Sequence, residues 1–423
     1  MAEKKNGSGR KLPAPRPFAT FPLPVNPRQE WKDLVDTLHL HRRRLLRIPG
    51  VTAVDIGYKL KEKENYRFED RLALRVHVER KLPSTCVEDH NLIDPAKFPS
   101  PSGRAVTMDV IEADYRLAHL TQPVRPRMVL EKPQELKEVN RCRRIDPLVG
   151  GISIGSPRVP AGTLGALVWD REDGSVCILS NWHVLAGDPH VEVGAPCFQP
   201  GLFDQGRSSD VVARLKRWSF NSQTDAALAE LTGSRRYSTG EILSMYQTIK
   251  QTTAPYLGMV VKKSGRSTGC TSGFVDGLYF STAIEYSSGF VQVFEDQIHI
   301  APLEPDQQIS EPGDSGSVWV TDDPEEEGYF AVGLHFAGDL PRSAFGEYAL
   351  ANPMSIVEKR LNISFRPMFL EVRDAEVAPP PPLFVPQPMQ IQFGNGSQPM
   401  SISVSGLMGA GIQPDQVKVG GGG

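Results

Sequence analysis

The sequence predicts a mainly β protein carrying a small α+β domain in front, and three observations predict it. Between residues 145 and 366, glycines fall every ten residues or so and separate short β-branched and apolar runs, the pattern of an all-β sandwich or barrel. Before that lies one helical period followed by alternating runs. Both ends are rich in proline, glycine and polar residues, with little to bury. The 423 residues suffice for two or three domains, and 39% hydrophobic content suits a water-facing globular chain. A net charge of −3 gives no argument for nucleic acid or a membrane surface.

In chain order, residues 1–25 read as a disordered arm, since Pro13, Pro15, Pro17, Pro22 and Pro24 prevent regular structure. The arm is basic but lacks the apolar core of a secretory signal, and no apolar run is long enough to span a bilayer, so the expected location is cytoplasmic. Residues 26–120 form the small α+β domain. Asn26 caps a helix and Pro27 suits its first turn. Trp31, Leu34, Val35, Leu38, Leu45 and Leu46 recur at helical spacing, and Pro49-Gly50 ends it. Val54, Ile56, Tyr58 and Leu60 alternate, as do Leu72, Leu74, Val76 and Val78, giving two half-buried strands joined by a charged loop. Val106, Met108 and Val110 offer a third strand. The run Arg42-Arg43-Arg44 with Arg47 lacks interleaved aromatic residues, so it reads as a solvated helix face rather than a nucleic-acid site. Residues 121–144 are charged and irregular and are taken as a linker. Residues 367–423, from the polyproline run Pro379–Pro382 to Gly420–Gly423, read as a flexible tail. The five cysteines, Cys86, Cys142, Cys177, Cys197 and Cys270, are irregularly spaced and read as reduced thiols. No Cys/His cluster has zinc-ligand spacing, and no cofactor is implied.

The chemistry is concentrated in three places. Pro312-Gly313-Asp314-Ser315-Gly316-Ser317 sets a serine between glycines, where a substrate carbonyl can approach and the N–H groups of Gly313 and Ser315 can meet an oxyanion. His183, in Leu179-Ser180-Asn181-Trp182-His183-Val184-Leu185, supplies the base that a serine hydroxyl needs. Asp225, in Thr224-Asp225-Ala226-Ala227-Leu228, is a lone carboxylate in an apolar run, suited to orient an imidazole.

The order His183…Asp225…Ser315 resembles the chymotrypsin/trypsin family of serine peptidases, over about half the chain. Lys263-Ser264-Gly265-Arg266-Ser267-Thr268-Gly269-Cys270-Thr271-Ser272-Gly273 resembles the glycine-rich hairpin that opens the second barrel of bacterial members. Ala331-Val332-Gly333-Leu334-His335-Phe336-Ala337-Gly338 resembles the strand lining their specificity pocket, and Ala349–Val357 their last strand and closing helix. The resemblance implies a double six-stranded antiparallel β-barrel with the site between the barrels. It makes Ser315 the nucleophile, His183 the general base, Asp225 the orienting acid, and Gly313 and Ser315 the oxyanion hole. It places Ile309, His335, Phe336 and Gly338 at the substrate pocket. Trypsin has an acid where Ile309 stands, so a preference for Lys or Arg is not expected. His335 resembles the histidine with which glutamyl endopeptidases contact an acidic side chain. Val184 replaces the cysteine that follows the histidine in secreted animal trypsins. Arg144-Ile145-Asp146-Pro147-Leu148-Val149-Gly150-Gly151 resembles a zymogen activation site, whose new amino terminus would pair with Asp314, though extra residues intervene.

The expected function is therefore a serine endopeptidase acting on protein or peptide substrates. The N-terminal domain, by its position alone, suggests an intramolecular regulator. The competing reading is a protease-fold peptide-binding or scaffold protein without turnover. Oligomeric state is not readable.

Overall fold

The computed structural model describes residues 27–61, 67–117, 140–286, 289–303, 307–323, 325, 327–339 and 347–367. The predicted arm, the predicted tail past residue 367 and most of the predicted linker lie outside the described residues. Among those described, no helix is long and apolar enough to cross a membrane.

Helix α1 (Pro27–Leu45) lays Leu34, Leu38 and Leu45 on strands β1 (Val51–Lys61) and β2 (Arg67–Val78), against Val54, Ile56, Leu74 and Val76. The spacing of those leucines puts them on one face, and their burial carries the helix more than its own propensity does. β3 (Met108–Glu112) adds to β2 in parallel, near the expected third strand. The basic run departs from its reading. Arg42 is buried and bonds Asp296 at 2.6 Å and Glu295 at 3.3 Å, while Arg44 lies 4.6 Å over the Phe98 ring. Arg42 is thus a structural clamp, while Arg43, Arg44 and Arg47 are exposed, as the run reads.

The free edge of β1 pairs antiparallel with strand Gly269–Glu285, so this N-terminal layer continues a larger sheet. From β1 the path runs through Gly269–Glu285, Val291–Pro302, Ala349–Pro353, Tyr329–Asp339 and Val318–Asp322 to Val260–Gly265. Val260–Gly265 also pairs with Gly269–Glu285, so the hydrogen-bond path returns on itself after six strands. A second sheet runs Pro196–Phe198, Val211–Phe220, Asp225–Leu231, Val176–Ser180, Ala166–Asp170 and Ile363–Ser364. A short ribbon pairs Ile152–Ile154 with Gly162–Leu164. All five cysteines are free thiols, and burial pushes Cys177 up to about 11 and Cys197 to about 12.

One buried charge cluster fastens the N-terminal layer to the larger sheet. Arg75 on β2 bonds both oxygens of Asp55 on β1 and reaches Asp276 on the neighbouring strand at 2.7 Å, all three fully buried. Gly57 and Gly277 make room for it: a Cβ at either would collide with the Arg75 guanidinium. β4 (Tyr115–Leu117) extends the cluster. The Tyr115 hydroxyl lies 2.7 Å from His77 Nδ1 and 2.9 Å from His299 Nε2. His77 Nε2 faces Asp55 at 3.2 Å, and His299 Nδ1 faces Asp276 at 2.6 Å. Burial lowers His77 to about 4, so that ring is neutral near pH 7.

Candidate active site

His183 and Asp225 are brought together by adjacent strands. Val176–Ser180 ends in the single-turn helix α2 (Trp182–Leu185), and Asp225 heads the strand hydrogen-bonded beside it. His183 Nδ1 is 2.5 Å from Asp225 Oδ2, and the His183 backbone N–H donates to Asp225 Oδ1 at 3.1 Å. A carboxylate oxygen only accepts, so Nδ1 carries the hydrogen, and Nε2 of the neutral ring presents its lone pair. The Tyr286 hydroxyl donates to Asp225 Oδ2 at 2.7 Å. The Asp225 backbone is tied as well, its N–H to Asn352 Oδ1 at 3.0 Å and its carbonyl to Asn181 Nδ2 at 2.7 Å. Trp182 stacks on Phe220 at 4.2 Å and Tyr286 meets Phe220 edge-on at 5.2 Å, an aromatic group beside the buried pair. Burial and the Asp225 charge hold the Tyr286 hydroxyl far above its usual range, so it stays a donor.

Ser315 sits in a turn that only glycine permits at two points. Gly313 has φ +103° and Gly316 φ +95°, and a Cβ on Gly316 would strike Ser180 and the Thr163 carbonyl. The turn is fixed group by group. Ser267 Oγ donates to the Pro312 carbonyl at 2.7 Å, Thr163 Oγ1 to the Gly313 carbonyl at 2.9 Å, and the Ser317 N–H to the Asp314 carbonyl at 3.0 Å. A trans peptide holds N–H opposite C=O, so anchoring Pro312 and Asp314 sets the directions of the Gly313 and Ser315 N–H groups in advance. Thr163 N–H also donates to the Ser315 carbonyl at 2.8 Å, and Ser180 Oγ donates to the Thr163 carbonyl at 2.7 Å. The serine turn and the histidine turn therefore rest on one strand, Gly162–Leu164. At Gly162, Val184 and the Ser315 carbonyl approach so closely that no side chain would fit.

Asp314 points into the protein. Its carboxylate accepts from Lys263 Nζ (3.0 Å), Thr268 Oγ1 (2.6 Å) and the N–H groups of Ser267, Thr268 and Glu311 (2.8, 3.1 and 3.1 Å). Burial pushes its titration up. The Lys263 charge and the Thr268 hydroxyl outweigh that, and the net direction is down.

The four pocket candidates fall in different surroundings. Ile309 is fully buried among Met259, Val261, Trp319 and Val332, and its carbonyl accepts from Thr271 Oγ1 at 2.9 Å. Phe336 is buried against Phe294, ring centroids 4.8 Å apart, and its carbonyl faces Ser315 Oγ at 3.4 Å. Gly338 is confined between the Tyr348 carbonyl and Ser310. His335 is fully buried, its ring 6.1 Å from Trp319. Among the described residues, Trp319 Nε1 and Ser317 Oγ are buried without a hydrogen-bond partner, and the His335 ring has only the Leu350 backbone, which is too far to count as a close hydrogen bond. Burial first, and the Lys263 charge next, lower His335 to about 3, so it is neutral near pH 7. Among the described residues no group of His, Cys, Asp and Glu side chains is placed to hold a metal ion.

Tyr286, Thr163, Lys263 and Asn352 were not singled out by the sequence. Tyr286 reaches Asp225 across 61 residues and Thr163 reaches Gly313 across 150, separations at which no local spacing gives a signal. Lys263 and Asn352 stand in strings the sequence does mark, but as part of a hairpin and of a closing strand.

No protein-family model and no curated protein sequence matches the chain. Solved structures similar to it are bacterial chymotrypsin/trypsin-like serine proteases. They include Thermobifida fusca protease A (15% identity, TM-score 0.37, covering 51% of this chain and 96% of that one). A Nocardiopsis protease matches at 16% identity and TM-score 0.36, covering 51% and 97%. A glutamic-acid-specific serine protease, described as using a histidine triad in substrate binding, matches at 18% identity and TM-score 0.37, covering 51% and 99%.

Proposed function

We propose that this chain is a serine endopeptidase of two six-stranded barrels, with Ser315 as nucleophile, His183 as general base and Asp225 as orienting acid. The observation that carries the reading is the triply hydrogen-bonded Asp225 carboxylate on His183 Nδ1, sharing a supporting strand with a serine turn whose Pro312, Gly313, Asp314 and Ser315 carbonyls are anchored. Ser315 Oγ attacks the scissile carbonyl and its proton passes to His183 Nε2. Asp225 holds the tautomer and stabilises the imidazolium. The N–H groups of Gly313 and Ser315 take the negative charge of the tetrahedral intermediate. Its collapse gives the acyl-enzyme, and His183 returns the proton to the leaving amine. Water, activated by the same imidazole, then releases the acid and restores Ser315. Lys263 already occupies Asp314, so a newly cut amino terminus near Val149 has no carboxylate to claim and activation by cleavage there is not required.

For the side chain before the scissile bond, the reading is an acidic one. The His335 ring lies 6.1 Å from Trp319, whose indole N–H is buried without a partner among the described residues and whose ring is 5.4 Å from Lys263 Nζ, and a carboxylate would suit these donors. The test is a mixed peptide library incubated with the full chain and with Ser315→Ala, read by mass spectrometry. Cleavage after Glu or Asp that vanishes in the variant is expected. Cleavage that persists in the variant would reject the mechanism, and cleavage with no acidic bias would reject the pocket assignment.

A further inference from the structure

One edge of strand Tyr329–Asp339 carries three occupants in a row. Val318–Asp322 pairs with its first half, from Asp322 opposite Tyr329 to Val318 opposite Leu334. The serine turn follows: Gly316 N–H donates to the His335 carbonyl at 2.9 Å, and Ser315 Oγ faces the Phe336 carbonyl at 3.4 Å. β4 comes next, antiparallel, with Leu117 opposite Ala337, Arg116 opposite Gly338 and Tyr115 opposite Asp339. The opposite edge of the same stretch is taken by Ala349–Pro353. β4 therefore runs toward the nucleophile, and its last residue stands one ladder step, about 3.4 Å of chain, from the position facing Ser315.

A peptide whose carbonyl is to be attacked by Ser315 must lay its preceding residues along that same edge, because strand addition is how an extended chain binds a sheet margin. We propose that Tyr115–Leu117 is a built-in occupant of this substrate edge, so that the folded chain cleaves extended peptides slowly while Ser315 itself stays chemically competent. The proposal rests on the serine-peptidase reading above. The occupant is anchored at both ends and free in the middle. Tyr115 is buried, hydrogen-bonded to His77 and His299 and edge-on to Phe280 at 4.8 Å; Leu117 is buried in the main core cluster; the Arg116 side chain is exposed and pairs only with Asp114 among its described partners. The anchor is the same cluster that fastens the N-terminal layer to the sheet, so the layer's charge network holds a segment on the active-site edge. Release of β4 is then the activating event, by a competing peptide or by loss of the Tyr115 anchor.

The test compares the full chain with Arg116→Pro, which removes a backbone donor from the centre of β4 at an exposed position, and with Tyr115→Phe, which removes only the hydroxyl. Three readouts are taken: fluorophosphonate labelling of Ser315, hydrolysis of p-nitrophenyl acetate, which needs no strand edge, and cleavage of the peptide library. The expected result is peptide cleavage raised about tenfold in either variant, with labelling and ester hydrolysis within about twofold of the parent. A synthetic peptide spanning Ala113–Leu117, added to Arg116→Pro, should inhibit peptide cleavage competitively. Labelled, ester-active variants whose peptide cleavage does not rise, or a synthetic peptide that does not inhibit, would overturn the proposal. Absence of Ser315 labelling in all three folded proteins would instead overturn the peptidase reading, and this proposal with it.

Discussion

The molecule buries a His–Asp hydrogen bond in two places that look alike and differ in their charged partners. In the candidate active site, His183 Nδ1 meets Asp225 at 2.5 Å and a tyrosine hydroxyl, Tyr286, completes the carboxylate. In the N-terminal cluster, His299 Nδ1 meets Asp276 at 2.6 Å and another tyrosine hydroxyl, Tyr115, completes the imidazoles. The second cluster contains a permanent cation, Arg75, shared between Asp55 and Asp276. Among the described residues no Lys or Arg pairs with Asp225. A carboxylate already neutralised by a guanidinium gains little from an imidazolium that comes and goes. One held only by neutral donors gains most when the imidazole takes a proton. A buried His–Asp contact is thus no signature of catalysis by itself. A nearby nucleophile and the lack of a fixed counter-ion make the difference.

The comparison breaks most sharply under one substitution in each place. Asp225→Asn should lower kcat by about 10⁴ with the fold intact, because the ring loses its tautomer and its counter-charge. Steady-state kinetics beside a thermal melt checks this, and a loss of folding with proportionate loss of activity would make Asp225 merely structural. Arg75→Met should do the reverse. It strands two buried carboxylates and costs about 3–5 kcal/mol of stability in a denaturant titration. Ser315 labelling in the remaining folded fraction should persist.

A third buried imidazole sharpens the contrast. Among the described residues His335 has no carboxylate hydrogen-bonded to its ring, and burial lowers it to about 3 from an ordinary 6.5. The unfolded chain takes up a proton below pH 6.5 that the folded chain refuses until about 3. Stability should therefore fall as pH falls through that window, and His335→Phe should flatten this part of the profile, as measured by urea midpoints between pH 7 and 4. An unchanged slope would mean that His335 is solvated in solution. The smallest effect belongs to Tyr286→Phe. One hydrogen bond to a charged group is worth about 1.5–3 kcal/mol. Part of it should appear as a roughly tenfold drop in kcat and a shift of the acid limb of the pH–rate profile, with KM little changed. A change in KM alone would place Tyr286 in binding.

Much of the candidate site was legible because each part carries its chemistry in a short string. A serine between glycines, a histidine ending an apolar strand and an aspartate opening another are local facts. The helix at 27–45 and the first two strands were legible through periodicity, since one face of each must be apolar. What escaped are long-range partners. Arg42 belongs to a run that reads as solvated, yet its partner Asp296 is 254 residues away. β4 is three residues long, with no turn signal or apolar run to mark it, and its meaning lies in the strand it joins. Lys263 and Asp314 are 51 residues apart, and neither string alone says that they neutralise each other. The reading of residues 121–144 as a linker falls largely outside the described residues.

The central claim is that Ser315 is an activated nucleophile. The most direct measurement is tandem mass spectrometry of the full chain after reaction with a fluorophosphonate, alongside Asp225→Asn. The account requires an adduct on Ser315 and on no other serine, formed much more slowly in the variant. A folded parent protein that carries no adduct, or carries it elsewhere, would contradict the account.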